Sequence, residues 1–277
     1  MKDILVPVLR FEEDRIALEA AGDIAARFGA RALVLHAAVR AESAHAGEYA
    51  PLSEALGRIA QGAREMHAIE RDRIRAWIEA RGAIAPFFEL TAEDAIGADE
   101  AAAHARYADV TLLTLPRGTL HAARRELLLD VLFKSGRPLL ALPVAWRAPQ
   151  IGQTILLAWD AKREAARAVA DAMAFLAAAR RVVIATVDAK PGKGGHGPQP
   201  GSELAAFLAR RGANVLVRNL DGMGKPAGVV LLEEADAIGA DLIVAGGYGH
   251  TRAQERVFGG VTQHLLHASA RPLFLSH

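Results

Sequence analysis

A glycine-rich stretch, residues 241–269, has a residue order that suits the binding of an anion. It reads DLIVAGGYGHTRAQERVFGGVTQHLLHAS. The apolar run Leu242–Ala245 precedes Gly246 and Gly249, nine residues separate Gly249 from Gly259, and Gly260 leads into a helical pattern. Glycine lets the backbone approach a ligand closely, and a helix start offers unpaired N–H groups and a positive dipole end to phosphate. The stretch predicts a strand, a phosphate-binding loop and a helix, although a tight turn without a ligand needs similar glycines.

This spacing resembles the nucleotide-binding motif of the universal stress proteins. That family usually has Ser or Thr at the position of Gly260, so one hydroxyl contact to phosphate is missing here. Thr262 is close by but is not at the motif position. The resemblance implies ATP as the bound ligand, with or without Mg²⁺. It assigns the phosphate side of the site to Gly246, Gly249, Gly259, Gly260, Val261 and Thr262.

A second part of the predicted site follows two strand patterns further upstream. Asp160 comes directly after the apolar run Thr154–Ala158, and Val187 ends the run Arg181–Val187. Carboxyl ends of parallel strands face the ligand crevice of an open sheet. By resemblance, Asp160 contacts adenine and Val187 lies against its ring. From the residues alone, Asp160 equally well caps a helix that begins near Lys162, and Val187 is an ordinary strand residue.

The chain repeats one pattern of strands and helices. Tyr107–Val110 corresponds to Gly239–Leu242, and Arg137–Leu139 corresponds to Arg271–Leu273. Alternating strands and helices with short connections predict right-handed crossovers and parallel sheets. We therefore predict an α/β protein of two tandem domains, 1–148 and 149–277, each with its own doubly wound parallel sheet. By resemblance these are adenine nucleotide alpha hydrolase-like domains that form an intramolecular pseudo-dimer, in which Pro138–Leu142 could pair with Pro272–Ser276.

The N-terminal copy of the motif is degenerate. Thr114 and Arg117 stand where the C-terminal half has Gly246 and Gly249, and Leu9 stands at the position of Asp160. Larger side chains would crowd the phosphate path, and Leu9 cannot bond to a base. We expect nucleotide binding to be confined to the C-terminal half.

Composition and charge limit the classes of function. The 277 residues are 52% hydrophobic and 23% charged, and the formal net charge is +1. This balance is typical of a globular protein and gives no support for nucleic acid or a membrane as a partner. The chain has no cysteine, which excludes disulfides and thiol catalysis and permits a cytoplasmic location.

Three hypotheses of function remain from the sequence. The first is a stress-response regulatory protein that binds ATP, or a related adenine nucleotide, and is recognised by a protein partner. The second is an interaction protein of the same fold that binds no nucleotide, and the third is a slow ATP hydrolase. The sequence contains no recognisable set of catalytic groups and no predicted metal site. A homodimer or an intramolecular pseudo-dimer is expected as the assembly.

Overall fold

The computed structural model describes residues 1–37, 50–81, 88–90, 96–116, 120–147, 150–247 and 260–277. These residues form ten strands and nine helices. The strands are β1 Asp3–Val8, β2 Arg31–His36, β3 Phe88–Leu90, β4 Val110–Thr114, β5 Leu139–Leu142, β6 Thr154–Ala158, β7 Arg181–Val187, β8 Val215–Leu220, β9 Leu242–Gly246 and β10 Leu273–Ser276. The helices are α1 Phe11–Phe28, α2 Ala50–Arg81, α3 Ala98–Ala105, α4 His121–Lys134, α5 Arg163–Asp171, α6 Met173–Ala178, α7 Ser202–Ala209, α8 Ala227–Ala237 and α9 Gly260–Ala268.

The strands form one sheet in the order β3-β2-β1-β4-β5-β10-β9-β6-β7-β8. Read from either edge, this order passes through equivalent strands of the two halves, as expected for a tandem repeat with an internal two-fold. The pairing is parallel within each half and antiparallel only between β5 and β10. The predicted α/β fold of tandem parallel units is confirmed. The expectation of a separate sheet for each half is wrong, because pairing of the last strands itself makes the sheet continuous.

The junction between the halves is apolar and buried. Phe274 of β10 pairs with Leu140 of β5, and the ring of Phe274 packs edge-on against Phe175 with 5.9 Å between centroids. The predicted pairing of the last strands is therefore present. Successive residues of each strand point to opposite faces, so Ile4 packs into one core and Leu5 into another on the other side of the sheet.

Two equivalent aspartates, one in each half, hold the start of the first strand by hydrogen bonds to its backbone N–H groups. Asp109 accepts hydrogen bonds from the backbone N–H groups of Lys2, at 2.5 Å, and of Asp3, at 3.2 Å. Asp241 accepts from the N–H groups of Gly152–Thr154 at 2.9–3.2 Å. In both halves a carboxylate at the start of the fourth strand fixes the start of the first strand. The two aspartates were matched as repeat equivalents from the sequence, and their hydrogen bonds give the match a structural reason.

Some sequence boundaries change in the structure. A single helix was expected over Arg163–Ala179, but Ala172 adopts φ −82° and ψ 4° and separates α5 from α6. The predicted domain boundary between residues 148 and 149 falls outside the described ranges and stays a prediction. Within the ranges that are described, we find no helix long and apolar enough to cross a membrane.

Candidate functional site

A cavity of about 190 Å³ lies at the carboxyl ends of β6, β7 and β9, beside the start of α9. Ligands of open parallel sheets bind at this edge. Asp160, Val187, Gly246, Gly260, Val261 and Thr262 all line the cavity. The structure thus brings together six of the eight residues that were predicted from the sequence. The other two, Gly249 and Gly259, lie outside the described residues, as does Arg117.

One side of the cavity combines an apolar wall with a single acceptor. Asp160 follows β6 and keeps 54% of its side chain exposed. Its Oδ1 accepts the backbone N–H of Lys162 at 3.1 Å, and its Oδ2 lies 3.1 Å from the Lys162 ammonium. The helix α5 begins at Arg163 with Lys162 as its N-cap, so the expectation that Asp160 caps this helix is wrong. Each carboxylate oxygen has a second lone pair and can accept another hydrogen bond from a ligand. Apolar surface is supplied by Ala158, Trp159, Ala185, Val187, Ala227 and Leu231.

The other side of the cavity is formed by the start of α9. Gly260, Val261 and Thr262 are the first three residues of this helix as the structure describes it. A helix start of this kind favours an anion. The Thr262 hydroxyl lies 3.4 Å from the Gly246 carbonyl oxygen, and only 4% of the residue is exposed. Thr262 therefore joins the helix to β9 as well as lining the cavity.

Gly246 is required by packing whether or not a ligand binds. A Cβ atom at this position would lie 2.6 Å from the backbone N of Ala165 and 2.6 Å from the carbonyl carbon of Glu164. Real Cβ atoms do not approach backbone so closely, so β9 can pack against the start of α5 only with glycine here. A Cβ atom at Gly260 would meet no described atom within 4 Å. The two glycines of the motif are thus present for different reasons.

Glu164 is a buried carboxylate at the cavity that the sequence did not single out. Its side chain is 8% exposed and lies 2.5 Å from the Arg163 Nε. Burial alone would raise the pKa of the Glu164 carboxyl, but the hydrogen bond from Arg163 and the charges of Arg163 and His277 outweigh burial and lower this pKa. Glu164 therefore adds a negative charge to the wall. The sequence does not indicate that Glu164 is buried, because a pair of adjacent opposite charges such as Arg163 and Glu164 is common on solvent-exposed helices.

In the N-terminal half, a buried ion pair joins α4, the helix that corresponds to α9, to α1. Arg124, near the start of α4, is 3% exposed, and its guanidinium donates to Asp14, which is 1% exposed. The same guanidinium donates to Glu13 at 3.1 Å. Asp14 also accepts the backbone N–H groups of Leu9 and Arg10, at 2.9 and 3.0 Å. The helix that corresponds to α9 is therefore tied to α1 by protein charges.

Residue groups that could hold a metal were also considered. Among the residues with described positions, no cluster of three or more His, Asp or Glu side chains has a geometry suited to a metal ion. His264 and His267 line a second, larger cleft of about 760 Å³ between α4 and α9, together with His121 and Arg125. The histidines of α9 thus face the N-terminal half and not the cavity at β6, β7 and β9.

One family model matches the C-terminal part of the chain, and solved structures resemble the whole of it. Residues 152–277 match the model of the universal stress protein family. A universal stress protein from Archaeoglobus fulgidus DSM 4304 has a similar structure, with a TM-score of 0.68 and 17% identity over 99% of this chain and 95% of that chain. A protein of unknown function from Pseudomonas aeruginosa PAO1 superposes with a TM-score of 0.57 and 16% identity over 100% of this chain and 92% of that one. At these identities the structural likeness shows the fold alone. No curated protein is significantly similar to the chain in sequence.

Proposed function

Because residues 152–277 match the model of the universal stress protein family, we propose that this half is a regulatory module of the stress response that binds ATP. The nucleoside lies between Asp160 and Val187, and the phosphates lie at the start of α9. A protein partner then recognises the occupied state. The Thr262 hydroxyl donates to the Gly246 carbonyl at 3.4 Å and so links the start of α9 to β9.

One observation carries this proposal. Residues chosen from the sequence for two different tasks, contacting a base and contacting phosphate, line one cavity. The volume is in keeping with a partly enclosed ligand. At about 190 Å³ the cavity is smaller than the roughly 300–1,000 Å³ of a pocket that encloses a whole ligand. It suits the nucleoside, with the phosphates outside at the helix start.

Titration of the full chain with ATP tests the proposal directly. Calorimetry should give one bound ATP per chain, because the N-terminal half has Thr114 and Arg117 in place of two motif glycines and Leu9 in place of Asp160. Trp159 is among the residues that line the cavity, so its fluorescence should change with the same dissociation constant, and Trp159→Phe should remove that change. A stoichiometry of two, or no heat of binding at all, would contradict the proposal. Mass spectrometry of ligands released from the purified protein provides an independent reading.

Asp160→Ala should weaken ATP more than GTP. An ionised carboxylate only accepts hydrogen bonds, so it attracts the 6-amino group of adenine and repels the 6-oxo group of guanine. An unpaired polar edge costs about 1–3 kcal/mol, so the wild-type preference for ATP should be roughly ten- to a hundredfold and should shrink in the variant. Lys162→Ala is the matched control, since it removes the ion-pair partner of Asp160 and leaves the acceptor. An unchanged ATP/GTP ratio in Asp160→Ala would show that Asp160 does not contact the base.

Substitution of Gly249 or Gly259 of the motif by valine should abolish measurable ATP binding. Gly249→Val and Gly259→Val fill the path expected for the phosphates, and we expect the dissociation constant to rise by at least about tenfold, or 1.4 kcal/mol. Arg117→Gly, the matching change in the N-terminal half, should leave ATP binding unchanged. Calorimetry on the three full-length variants measures this. Equal weakening by all three would show that binding is not confined to the C-terminal half.

The second candidate is an interaction protein of the same fold that binds no nucleotide. Two features favour it: Gly246 is explained by the packing of β9 on α5, and Glu164 brings a negative charge to the cavity wall. If this candidate is correct, ATP will not raise the melting temperature at any concentration. Glu164→Gln separates the two candidates further, because removal of the charge should tighten ATP binding only if the phosphates lie near that carboxylate.

A further inference from the structure

The outer edge of the C-terminal half is formed by β8, which pairs with β7 on one side. Among the strands of the described residues, none pairs with its other side. Natural proteins usually protect such an edge from further pairing by proline, lysine, a bulge or short length. The strand β8 reads VLVRNL, contains neither proline nor lysine, and keeps an unbroken register with β7 over its 6 residues. At the opposite edge of the sheet, β3 has only 3 residues, so β8 is the edge that stays open to a further strand.

The pairing with β7 fixes which backbone groups of β8 face outward. The carbonyls of Asn214 and Leu220 accept N–H groups of the β7 side at 2.8 and 3.0 Å. In a regular parallel pair, alternate residues direct both their N–H and their C=O toward the neighbouring strand. The even-numbered residues of β8 therefore face β7. The N–H and C=O groups of Val215, Val217 and Asn219 point away from the sheet.

The side chains of β8 are mostly apolar and are exposed on both faces of the sheet. Leu216 is 51% exposed on one face, and Val217 is exposed on the other. The only charged residue of β8 is Arg218, whose Nε lies 3.5 Å from a carboxylate oxygen of Glu234 on α8. An approaching strand thus meets free backbone groups, apolar side chains and a charge that already has a partner. These are the features by which an edge strand binds another strand.

We propose that β8 pairs antiparallel with β8 of a second copy of this chain, about a two-fold axis that passes beside Val217. In an interface with two-fold symmetry, each contact occurs in both directions. With the axis at Val217, this residue pairs with its own copy, and Val215 pairs with Asn219 of the other copy. Every outward N–H and C=O of β8 then has a partner, and the sheet continues through both molecules. The proposal does not depend on nucleotide binding.

The distribution of outward groups and charge favours this axis over others. An axis at Val215 or Asn219 would leave outward groups at the far end of β8 without partners. With the axis at Val217, Arg218 lies opposite Leu216 of the second copy and not opposite another arginine, and like charges directly opposite each other destabilise a strand pair. The aliphatic part of Arg218 can cover the exposed leucine while its guanidinium keeps Glu234.

Single cysteines test the position of the axis, because the chain has no cysteine of its own. Opposite residues of a hydrogen-bonded antiparallel pair have Cα atoms about 5.5 Å apart, so Val217→Cys should give a covalent dimer with a short bifunctional thiol reagent. Val215→Cys is the matched control, since its two copies would be offset along the strands by roughly 14 Å and should stay uncoupled. Equal cross-linking at both positions, or none at Val217→Cys, overturns the proposal.

Charge substitutions at Leu216 test the register on the other face of the sheet. Leu216→Glu places a carboxylate opposite Arg218 of the second copy, whereas Leu216→Lys places a like charge there. Each pair occurs twice across the axis, so the dimer dissociation constant should be about 2- to 30-fold higher for Leu216→Lys than for Leu216→Glu. Sedimentation equilibrium measures both variants and the wild-type chain. Equal constants for the two variants, or a wild-type chain that stays monomeric at millimolar concentration, overturn the proposal.

Discussion

Arg124→Ala is expected to lower the free energy of unfolding by about 3–5 kcal/mol, the usual cost of breaking a buried ion pair by removing one partner. The guanidinium of Arg124 holds both Glu13 and Asp14, and Asp14 is 1% exposed. Without Arg124 the Asp14 carboxylate keeps only its two backbone donors and becomes an uncompensated buried charge.

Urea denaturation measures the loss of unfolding free energy in Arg124→Ala, and two further variants serve as comparisons. Arg15 forms an exposed ion pair with Glu19 at 3.2 Å, so Arg15→Ala should cost no more than about 1 kcal/mol. The double variant Asp14→Asn, Arg124→Leu removes both charges and should recover part of the stability, since apolar replacement of a buried pair is often near neutral. If Arg124→Ala costs no more than Arg15→Ala, the ion pair does not stabilise the N-terminal half.

Gly246→Ala is expected to lower the free energy of unfolding by about 3 kcal/mol, near the upper end of the usual cost of overpacking. The added Cβ meets the backbone atoms of Glu164 and Ala165 at 2.6 Å, and backbone within a helix cannot swing aside as a side-chain end can. The start of α5 must move away from β9, which also shifts Asp160 and the cavity wall.

Gly260→Ala is the matched control for this prediction. A Cβ atom there meets no described atom within 4 Å, and alanine is favoured over glycine in a helix by up to about 1 kcal/mol. Thermal unfolding should therefore show a lower melting temperature for Gly246→Ala and an unchanged or higher one for Gly260→Ala. Equal destabilisation by both would mean that the contact between β9 and α5 does not decide the residue type at position 246.

The strands of the C-terminal half could be predicted closely, because short apolar runs ended by glycine, proline or charge leave few alternatives. Thr154–Ala158 and Arg181–Val187 were predicted with the bounds that β6 and β7 have. The repeat was recognisable because the same local patterns recur, as at Asp109 and Asp241. These are properties of neighbouring residues, which a sequence displays directly.

The features that were missed depend on contacts between distant residues. Arg124 and Asp14 are 110 positions apart, and neither has a local pattern that distinguishes it from a solvated charge. His196, which the sequence did not single out, lines the cavity, and Ala161, which contacts the preceding turn, adopts a left-handed backbone conformation. For alanine such a conformation is uncommon, and no local sequence rule predicts it. Asp160 lines the cavity, and its carboxylate accepts the backbone N–H of Lys162, the N-cap residue of α5, instead of capping the helix itself.

The antiparallel junction of β5 and β10 joins two halves of a single chain, so the two halves can acquire different substitutions during evolution. In a homodimer of identical chains, each substitution appears twice, so a side chain that fills one pocket fills both. Here one gene encodes both halves, and each position mutates alone. The halves can therefore differ: α4 is tied to α1 by the buried Arg124 ion pair, while the C-terminal half keeps an open cavity. Covalent duplication turns a symmetric assembly into one whose members can be selected for different tasks.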